Sequence, residues 1–535
     1  MTQTAGDPIS QAVAPGYAFE GPALELGGLM LGADDLSDVR IRIPLAMLNR
    51  HGLVAGATGT GKTKTLQLLA EQLSAHGVPV FAADIKGDLS GISVPGEPSD
   101  KLTARTASVG QDWTATAFPT EFYAIGGQGT GVPVRVTMSA FGPTLLAKVL
   151  GLNETQESSL GLVFYYCDKQ GLPLLDLADL RAVLHYLTGD AGGRAELKAI
   201  GGVSPQTAGV ILRELVAFEA QGADVFFGEP ELDTKELLRT AEDGRGIVSL
   251  LELPRLQDRP ALFSTFLMWL LADLFHDLPE EGDLDKPKLV FFFDEAHLLF
   301  DDASEAFLDQ VAQTVRLIRS KGVGVFFVTQ SPTDVPDEVL GQLGSRIQHQ
   351  LRAHTPNDAK ALRATVNTYP DSAYDDLGKV ITSLGIGEAV VTVMNERGAP
   401  TPVAWTRLRA PESLMDPAPA TEMEAAVAAS PLTARYGETI DRESARELLA
   451  AKLEEGARKA EEDARVQEMA REQRNARVRE KAKPPSPSKS PSSSRRPAPE
   501  PDGMVESVVR SKVFKDFMST AAREIARGMF KSGRR

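Results

Sequence analysis

The sequence predicts an α/β fold in which helices cover both faces of a parallel sheet. Three apolar runs carry that prediction: Gly246-Ile-Val-Ser-Leu-Leu251, Lys288-Leu-Val-Phe-Phe-Phe293 and Val323-Gly-Val-Phe-Phe-Val328. Each is short, almost free of polar residues, and separated from the next by segments of helical periodicity. That is the pattern of strands buried on both faces. A glycine-rich segment at residues 56–63, set between an apolar run and a helical pattern, adds a third observation.

In chain order, residues 1–45 form a lead-in with one strand-like piece, Val39-Arg-Ile-Arg-Ile43. Residues 46–92 predict strand, loop, helix, strand: Leu53-Val-Ala55 is apolar, Leu66, Leu69, Ala70 and Leu73 recur at helical spacing, and Val78-Pro-Val-Phe-Ala-Ala83 is again strand-like. Residues 93–245 are dominated by helical patterns, at 145–150, 160–166, 177–187 and 208–220, and are expected to form a mostly helical insertion. Residues 246–410 return to strand–helix alternation and complete the core. Beyond residue 410 the composition changes. The segment 411–483 is a charged helical region, with an Ala/Glu/Arg/Lys-rich solvated helix over 442–483. Residues 484–503 are Pro/Ser-rich and predict a disordered linker. Residues 504–535 predict a basic amphipathic helix, because Val505, Val509, Val513, Phe517, Ala521 and Ile525 recur every four residues.

Composition narrows the function. The 535 residues suffice for two or three domains, and a single cysteine, Cys167, precludes an intramolecular disulfide and a Cys-rich zinc site. Cys167 is expected in the core, beside Phe164 and Tyr165. The N-terminus lacks a basic segment followed by an apolar run, and the longest apolar stretch, 262–275, carries Asp273 and is too short to span a bilayer. A soluble, cytoplasmic protein with no stable membrane insertion is expected. The net charge of −16 argues against a broadly basic surface that coats nucleic acid, though not against a basic pore.

The segment Gly56-Ala57-Thr58-Gly59-Thr60-Gly61-Lys62-Thr63 fits the full G-x-x-x-x-G-K-[ST] pattern. Glycines let the backbone wrap a polyphosphate, the lysine supplies a point charge to the β- and γ-phosphates, and the threonine hydroxyl suits Mg²⁺. The following helix, Thr63 to Leu73, turns its positive end to the anion, and Lys64 in its first turn is expected among the nucleotide contacts. ATP and Mg²⁺ are therefore the expected cofactors. A second motif, Phe291-Phe-Phe-Asp294-Glu295-Ala-His297, ends an apolar strand in two carboxylates. Asp294 is placed to reach the Mg²⁺ water shell, and Glu295 to orient or deprotonate the attacking water. His297 is expected to be structural. The third, Val328-Thr329-Gln330, puts Gln330 near the γ-phosphate if its strand lies beside that of Asp294; otherwise Thr329 and Gln330 merely cap the strand. Lys62 and Asp294 are 294 − 62 = 232 positions apart, which leaves room for the insertion and favours a motor or an assembly over a small-molecule kinase.

These segments, together with Asp84-Ile-Lys86-Gly-Asp88 and the run from Arg316 to Gln330, resemble the HerA/FtsK branch of RecA-type ATPases. Residues 44–63 more closely resemble the bacterial HerA-like, YjgR-type family, and the likeness covers roughly residues 20–410 and the C-terminal helix. The resemblance implies a RecA-like P-loop NTPase core. It further implies a homo-oligomeric, hexameric ring and ATP-driven movement of double-stranded DNA. By the same resemblance Lys62 and Thr63 bind phosphate and Mg²⁺, Asp294 backs the metal, Glu295 is the catalytic carboxylate and Gln330 the sensor. It also makes Arg319 an arginine finger and Arg50 a second phosphate-facing arginine. Arg316, Arg319 and Lys321 also fit a solvated helix face. Lys86 and Asp88 fit either the nucleotide or a subunit interface. The N-terminal β-barrel of archaeal HerA is not expected here, since few residues precede Pro44, and partner or substrate habits that depend on the barrel are not implied. The alternative function is a nucleotide-switched assembly ATPase that supports a protein partner without moving DNA. A small-molecule phosphotransferase is a third reading.

Overall fold

A computed structural model describes residues 7–32, 36–282, 284–300 and 305–481. The chain divides into two compact units, Met1–Ala457 and Arg458–Arg535. The linker at 484–503 and the basic helix expected at 504–535 lie outside the described residues.

The first unit is built on one sheet, whose strands among the described residues are β1 (Ala23–Met30), β2 (Leu36–Pro44), β3 (Gly52–Ala55), β4 (Val80–Asp84), β5 (Thr120–Ile125), β6 (Val132–Val134), β7 (Val248–Glu252), β8 (Leu289–Phe293), β9 (Val323–Thr329), β10 (Ser345–Gln348), β11 (Glu388–Thr392) and β12 (Ala404–Leu408). Their spatial order is β2-β1-β12-β11-β10-β3-β9-β8-β4-β7-β5-β6. From β10 to β6 every neighbouring pair is parallel. From β10 back to β2 every pair is antiparallel. The α/β class and the parallel core follow the sequence.

The apolar runs are strands because each feeds two cores. Alternate side chains of a strand point to opposite faces. Phe291, Phe293 and Phe327 accordingly enter one core, while Phe292, Phe326 and Val328 enter the other. Rings meet across β8 and β9 on both faces, Phe293 with Phe327 at 5.5 Å and Phe292 with Phe326 at 5.4 Å. The apolar stretch 262–275 forms most of the helix Pro260–Asp277, with Leu262, Phe266, Leu270 and Leu274 inside the first core. No helix among the described residues is long and apolar enough to cross a membrane. Cys167 is buried, and burial pushes its thiol up to about 12.

Three segments differ from the sequence expectation. The lead-in is not one strand but two, β1 and β2, and β1 also pairs with β12. The signal was hidden by Gly27 and Gly28, which depress strand propensity. Gly27 is required there, since a Cβ would lie 2.0 Å from the Arg407 carbonyl oxygen on β12. The region 93–245 contributes β5 and β6 to the main sheet, and its helices Glu154–Gln170, Leu177–Gly189 and Pro205–Ala220 share the first core with Phe291 and Phe293. Finally, the charged region that begins at 411 opens with a strap laid on the helix Lys62–Ala75. Glu71 on that helix accepts from the backbone N–H of Glu412 (2.8 Å) and Ser413 (3.1 Å), and Gln67 donates to the Ser413 hydroxyl at 2.7 Å. Beyond the strap the solvated helix spans Ala445–Lys481, with every side chain from 451 to 477 exposed.

Candidate nucleotide site

The parallel half of the sheet brings three predicted motifs to one edge. β3, β9 and β8 are consecutive neighbours, and all three end at that edge in the segments singled out above: residues 56–63 after β3, Gln330 after β9, Asp294 and Glu295 after β8.

The loop after β3 is held from both sides. The Gly56 N–H donates to the Thr329 carbonyl at 3.2 Å and the Ala57 N–H to the Gln350 carbonyl at 2.8 Å. Gly56, Gly59 and Gly61 have φ of +154°, +82° and +111°. At Gly56 a Cβ would stand 2.5 Å from the Cβ of His349, so glycine is needed for packing as well as for conformation. The helix Lys62–Ala75 starts directly after Gly61 with no side-chain cap, which leaves the first-turn N–H groups, including that of Thr63, to a ligand. Thr58 and Gly59 are exposed at the loop tip. Lys62 is buried and folds back over the loop, donating to the Gly56 carbonyl at 2.7 Å. Burial lowers its pKa, and the nearby Glu295 carboxylate partly offsets this.

Lys64 departs from its expected place among the nucleotide contacts. Its ammonium points away from the loop, to the Gln67 side chain at 3.1 Å and to the Met415 carbonyl of the strap. Only its backbone N–H, in the first turn, faces the phosphate side.

After β8, the Glu295 N–H donates to Asp294 Oδ1 at 2.9 Å, and Glu295 takes a φ of +46°, in the left-handed region. Asp294 is 4% exposed and its Oδ2 is buried without a hydrogen-bond partner. Burial, reinforced by the charge of Glu295, pushes its carboxyl up to about 7. Such a group is relieved by a cation, and a Mg²⁺ held by Thr63 and, through water, by Asp294 fits it. Bound there, the ion would neutralise charge on the β- and γ-phosphate oxygens. Glu295 behaves differently. Burial would raise its pKa, but the Lys86 ammonium, which donates to Oε1, draws it below the ordinary carboxylate value. Its Oε2 lies 3.3 Å from His297 Nδ1. An ionised, preset carboxylate of this kind can accept a proton from water.

Lys86 owes its position to Asp84. The Asp84 carboxylate at the end of β4 accepts from the N–H groups of Gly87 (2.7 Å), Asp88 (3.2 Å) and Leu89 (2.8 Å), which folds the chain back and turns Lys86 to Glu295. β4 and β8 are neighbours, so the ion pair spans two strand ends. The sequence left Lys86 between nucleotide and interface; the structure gives it to Glu295. Gln330 is exposed at the tip of β9, while Thr329 Oγ1 donates to Asp334 at 2.8 Å, which fixes the turn below it.

His349 was not singled out from the sequence. It is fully buried behind the loop, its Nε2 2.9 Å from Thr65 Oγ1, and burial, with the charge of Lys62, lowers its pKa to about 3. A neutral histidine there supports the loop without adding charge. Its flanks, Gln348 and Gln350, carry no recognisable motif, so no signal in the sequence marks it.

Arg50 and Arg319 are not at this edge. Both precede their strands, β3 and β9, and so lie at the opposite end of the sheet. β9 has seven residues, which at ~3.3 Å per residue is roughly 23 Å. That distance separates Arg50 and Arg319 from the loop of their own subunit. The two arginines instead line one cavity of about 530 Å³ with Arg316, Arg346, His51 and Tyr369. His51 lies beneath them with its Nδ1 accepting from the Val325 N–H at 3.0 Å. Burial foremost, and the charges of Arg319 and Arg50, lower its pKa to about 4.

The family model described as "Helicase HerA-like C-terminal" matches residues 30–535. Among curated proteins, the DNA double-strand break repair helicase HerA of Sulfolobus acidocaldarius is 20% identical over 372 residues, which is 68% of this chain and 66% of that protein, just under two thirds of its length. Among solved structures, the plasmid coupling protein TrwB in complex with ADP and Mg²⁺ has a TM-score of 0.48 at 15% identity, covering 76% of this chain and 100% of that one. VirB4 of Thermoanaerobacter pseudethanolicus has a TM-score of 0.46 at 14% identity, covering 76% and 99%. With the family model spanning nearly the whole chain and the loop, the carboxylate pair and the third strand tip assembled on one sheet edge, the chain belongs to the HerA-like helicase C-terminal family.

Proposed function

We propose that this chain binds Mg-ATP at residues 56–63, hydrolyses it, and works as a closed ring, a hexamer, that moves double-stranded DNA. The observation that carries the ring is the placement of the arginines. Arg50 and Arg319 stand at the sheet edge opposite the loop, in a cavity with two further arginines, Arg316 and Arg346. A second subunit that sets its loop edge against this cavity would give each nucleotide its guanidinium groups from a neighbour, and repetition of such a heterologous contact closes into a ring.

In this reading the loop N–H groups and Lys62 bind the phosphates, and Thr63 and Asp294 hold Mg²⁺. Glu295, kept ionised by Lys86, takes the proton of the attacking water, and Gln330 contacts the γ-phosphate from the neighbouring strand tip. Arg319 and Arg50 of the adjoining subunit would spread the charge of the transferred phosphoryl, which a planar guanidinium does better than an ammonium. DNA as the substrate is supported by the likeness to the Sulfolobus relative, a DNA double-strand break repair helicase. The net charge of −16 favours the second reading, a nucleotide-switched assembly ATPase that moves nothing. The ATPase rate with and without double-stranded DNA, measured beside the native mass, separates them. A motor is stimulated by DNA and assembles as a ring. A ring whose rate ignores DNA is the switch.

A further inference from the structure

Ile386 is the most exposed large apolar side chain among the described residues, at 77%. It does not lie on a featureless surface. It sits on the short turn between the helix Leu377–Ser383 and β11, and that turn is packed on the nucleotide loop. The Gly387 N–H donates to the Thr60 carbonyl at 3.1 Å, and a Cβ on Gly61 would come within 3.3 Å of the Gly387 nitrogen. The turn is also pinned from behind. Arg105 donates to the carbonyls of Gly387, Ile386 (3.4 Å) and Leu408 (3.2 Å), and Leu408 donates its N–H to Gly387 at 3.0 Å. An isoleucine is therefore held out to solvent on a rigid mount next to Thr60 and Gly61, where a burial elsewhere in the core would have been the favourable choice.

Strand order says what reaches it. All the candidate chemistry, Gln330 after β9 and Glu295 after β8, lies on one side of β3. The turn at 384–387 leads into β11, which lies on the other side, beyond β10. A triphosphate laid on the loop with its γ end toward Glu295 runs its nucleoside the opposite way, over the turn. We propose that Ile386 is the platform on which the base ring of the bound nucleotide lies. This rests on the reading of residues 56–63 as the nucleotide site. The contact is apolar, and the Ile386 and Gly387 carbonyls are already engaged by Arg105, so the platform grips the ring's face and does not read its edge. Adenine and guanine nucleotides should then bind with similar affinity.

The test compares Mg-ATP, Mg-GTP and inorganic tripolyphosphate by calorimetry on the full chain and on Ile386→Ala and Ile386→Phe, with native mass recorded for each. The side chain is exposed, so neither substitution disturbs the core. Expected are ATP and GTP affinities about tenfold weaker in Ile386→Ala and recovered in Ile386→Phe, with tripolyphosphate affinity unchanged in both. Equal loss of tripolyphosphate and ATP binding, or unchanged ATP binding in Ile386→Ala, overturns the platform while leaving the nucleotide site standing. So does an ATP loss that appears only together with a fall in oligomer mass, because Ile386 is then an interface residue. A wild-type chain that binds none of the three ligands overturns the nucleotide site, and the platform with it.

Discussion

Lys86, in the turn after β4, donates its ammonium to Oε1 of Glu295, in the turn after β8; the Glu295 side chain is 7% exposed and that of Lys86 41%. The pair keeps ionised a carboxylate that burial would otherwise protonate more easily. It also fixes where the carboxylate sits, since Glu295 takes a left-handed backbone conformation that a non-glycine residue adopts only under constraint.

The first prediction concerns that pair. Lys86→Met removes the ammonium and leaves burial unopposed, so the Glu295 pKa should rise. A carboxylate that must be ionised to act is lost at the acid end, so the acid limb of the ATPase pH profile should move to higher pH. An acid limb that stays in place in Lys86→Met would show that Lys86 does not control the ionisation of Glu295.

Glu295→Gln should keep ATP binding and lose hydrolysis by about 10²–10⁴-fold, because the amide cannot take the proton. Lys62→Ala should instead weaken binding itself. Equilibrium binding of a fluorescent ATP analogue and single-turnover hydrolysis separate the two effects. Full turnover in Glu295→Gln removes the carboxylate from the mechanism.

Asp294 gives a stability prediction. Its folded pKa, pushed up to about 7, lies above the ordinary carboxylate value. The folded state thus binds its proton more tightly than the unfolded state. That contribution is fully present below the unfolded pKa and is lost as pH rises toward 7. Asp294→Asn removes the charge but keeps the shape. Without nucleotide at pH 8 it should raise Tm by roughly 2 °C or more, with a much smaller gain at pH 5. A Tm lowered equally at both pH values contradicts the burial argument.

The arginine placement predicts complementation. Arg319→Ala and Lys62→Ala should each be nearly inactive alone. Mixed subunits should recover part of the activity, because some interfaces then join an intact Arg319 to an intact loop. Mixtures no more active than the sum of the separate variants, at a mass showing that they co-assemble, would rule out a shared site.

The α/β class, the parallel core and the nucleotide loop were legible in the chain alone, because these rest on local rules. A strand buried on both faces must be an apolar run, and a phosphate loop must have glycines where φ is positive, as at Gly56, Gly59 and Gly61. The neighbouring placement of Gln330 and Glu295 was legible only as a condition, that β9 lie beside β8, and strand order is a non-local property. The same limit hid β1, whose Gly27 is explained only by β12, and the strap on Glu71, whose partners Glu412 and Ser413 are more than 340 positions away. Tertiary structure alone decided that Lys86 belongs to Glu295, that His349 backs the loop, that Lys64 turns aside, and that Arg50 and Arg319 share a cavity at the far edge. The resemblance implied that both arginines face a phosphate; chain direction sets them a full strand length from their own loop, because in a parallel sheet residues before a strand and residues after it lie at opposite ends.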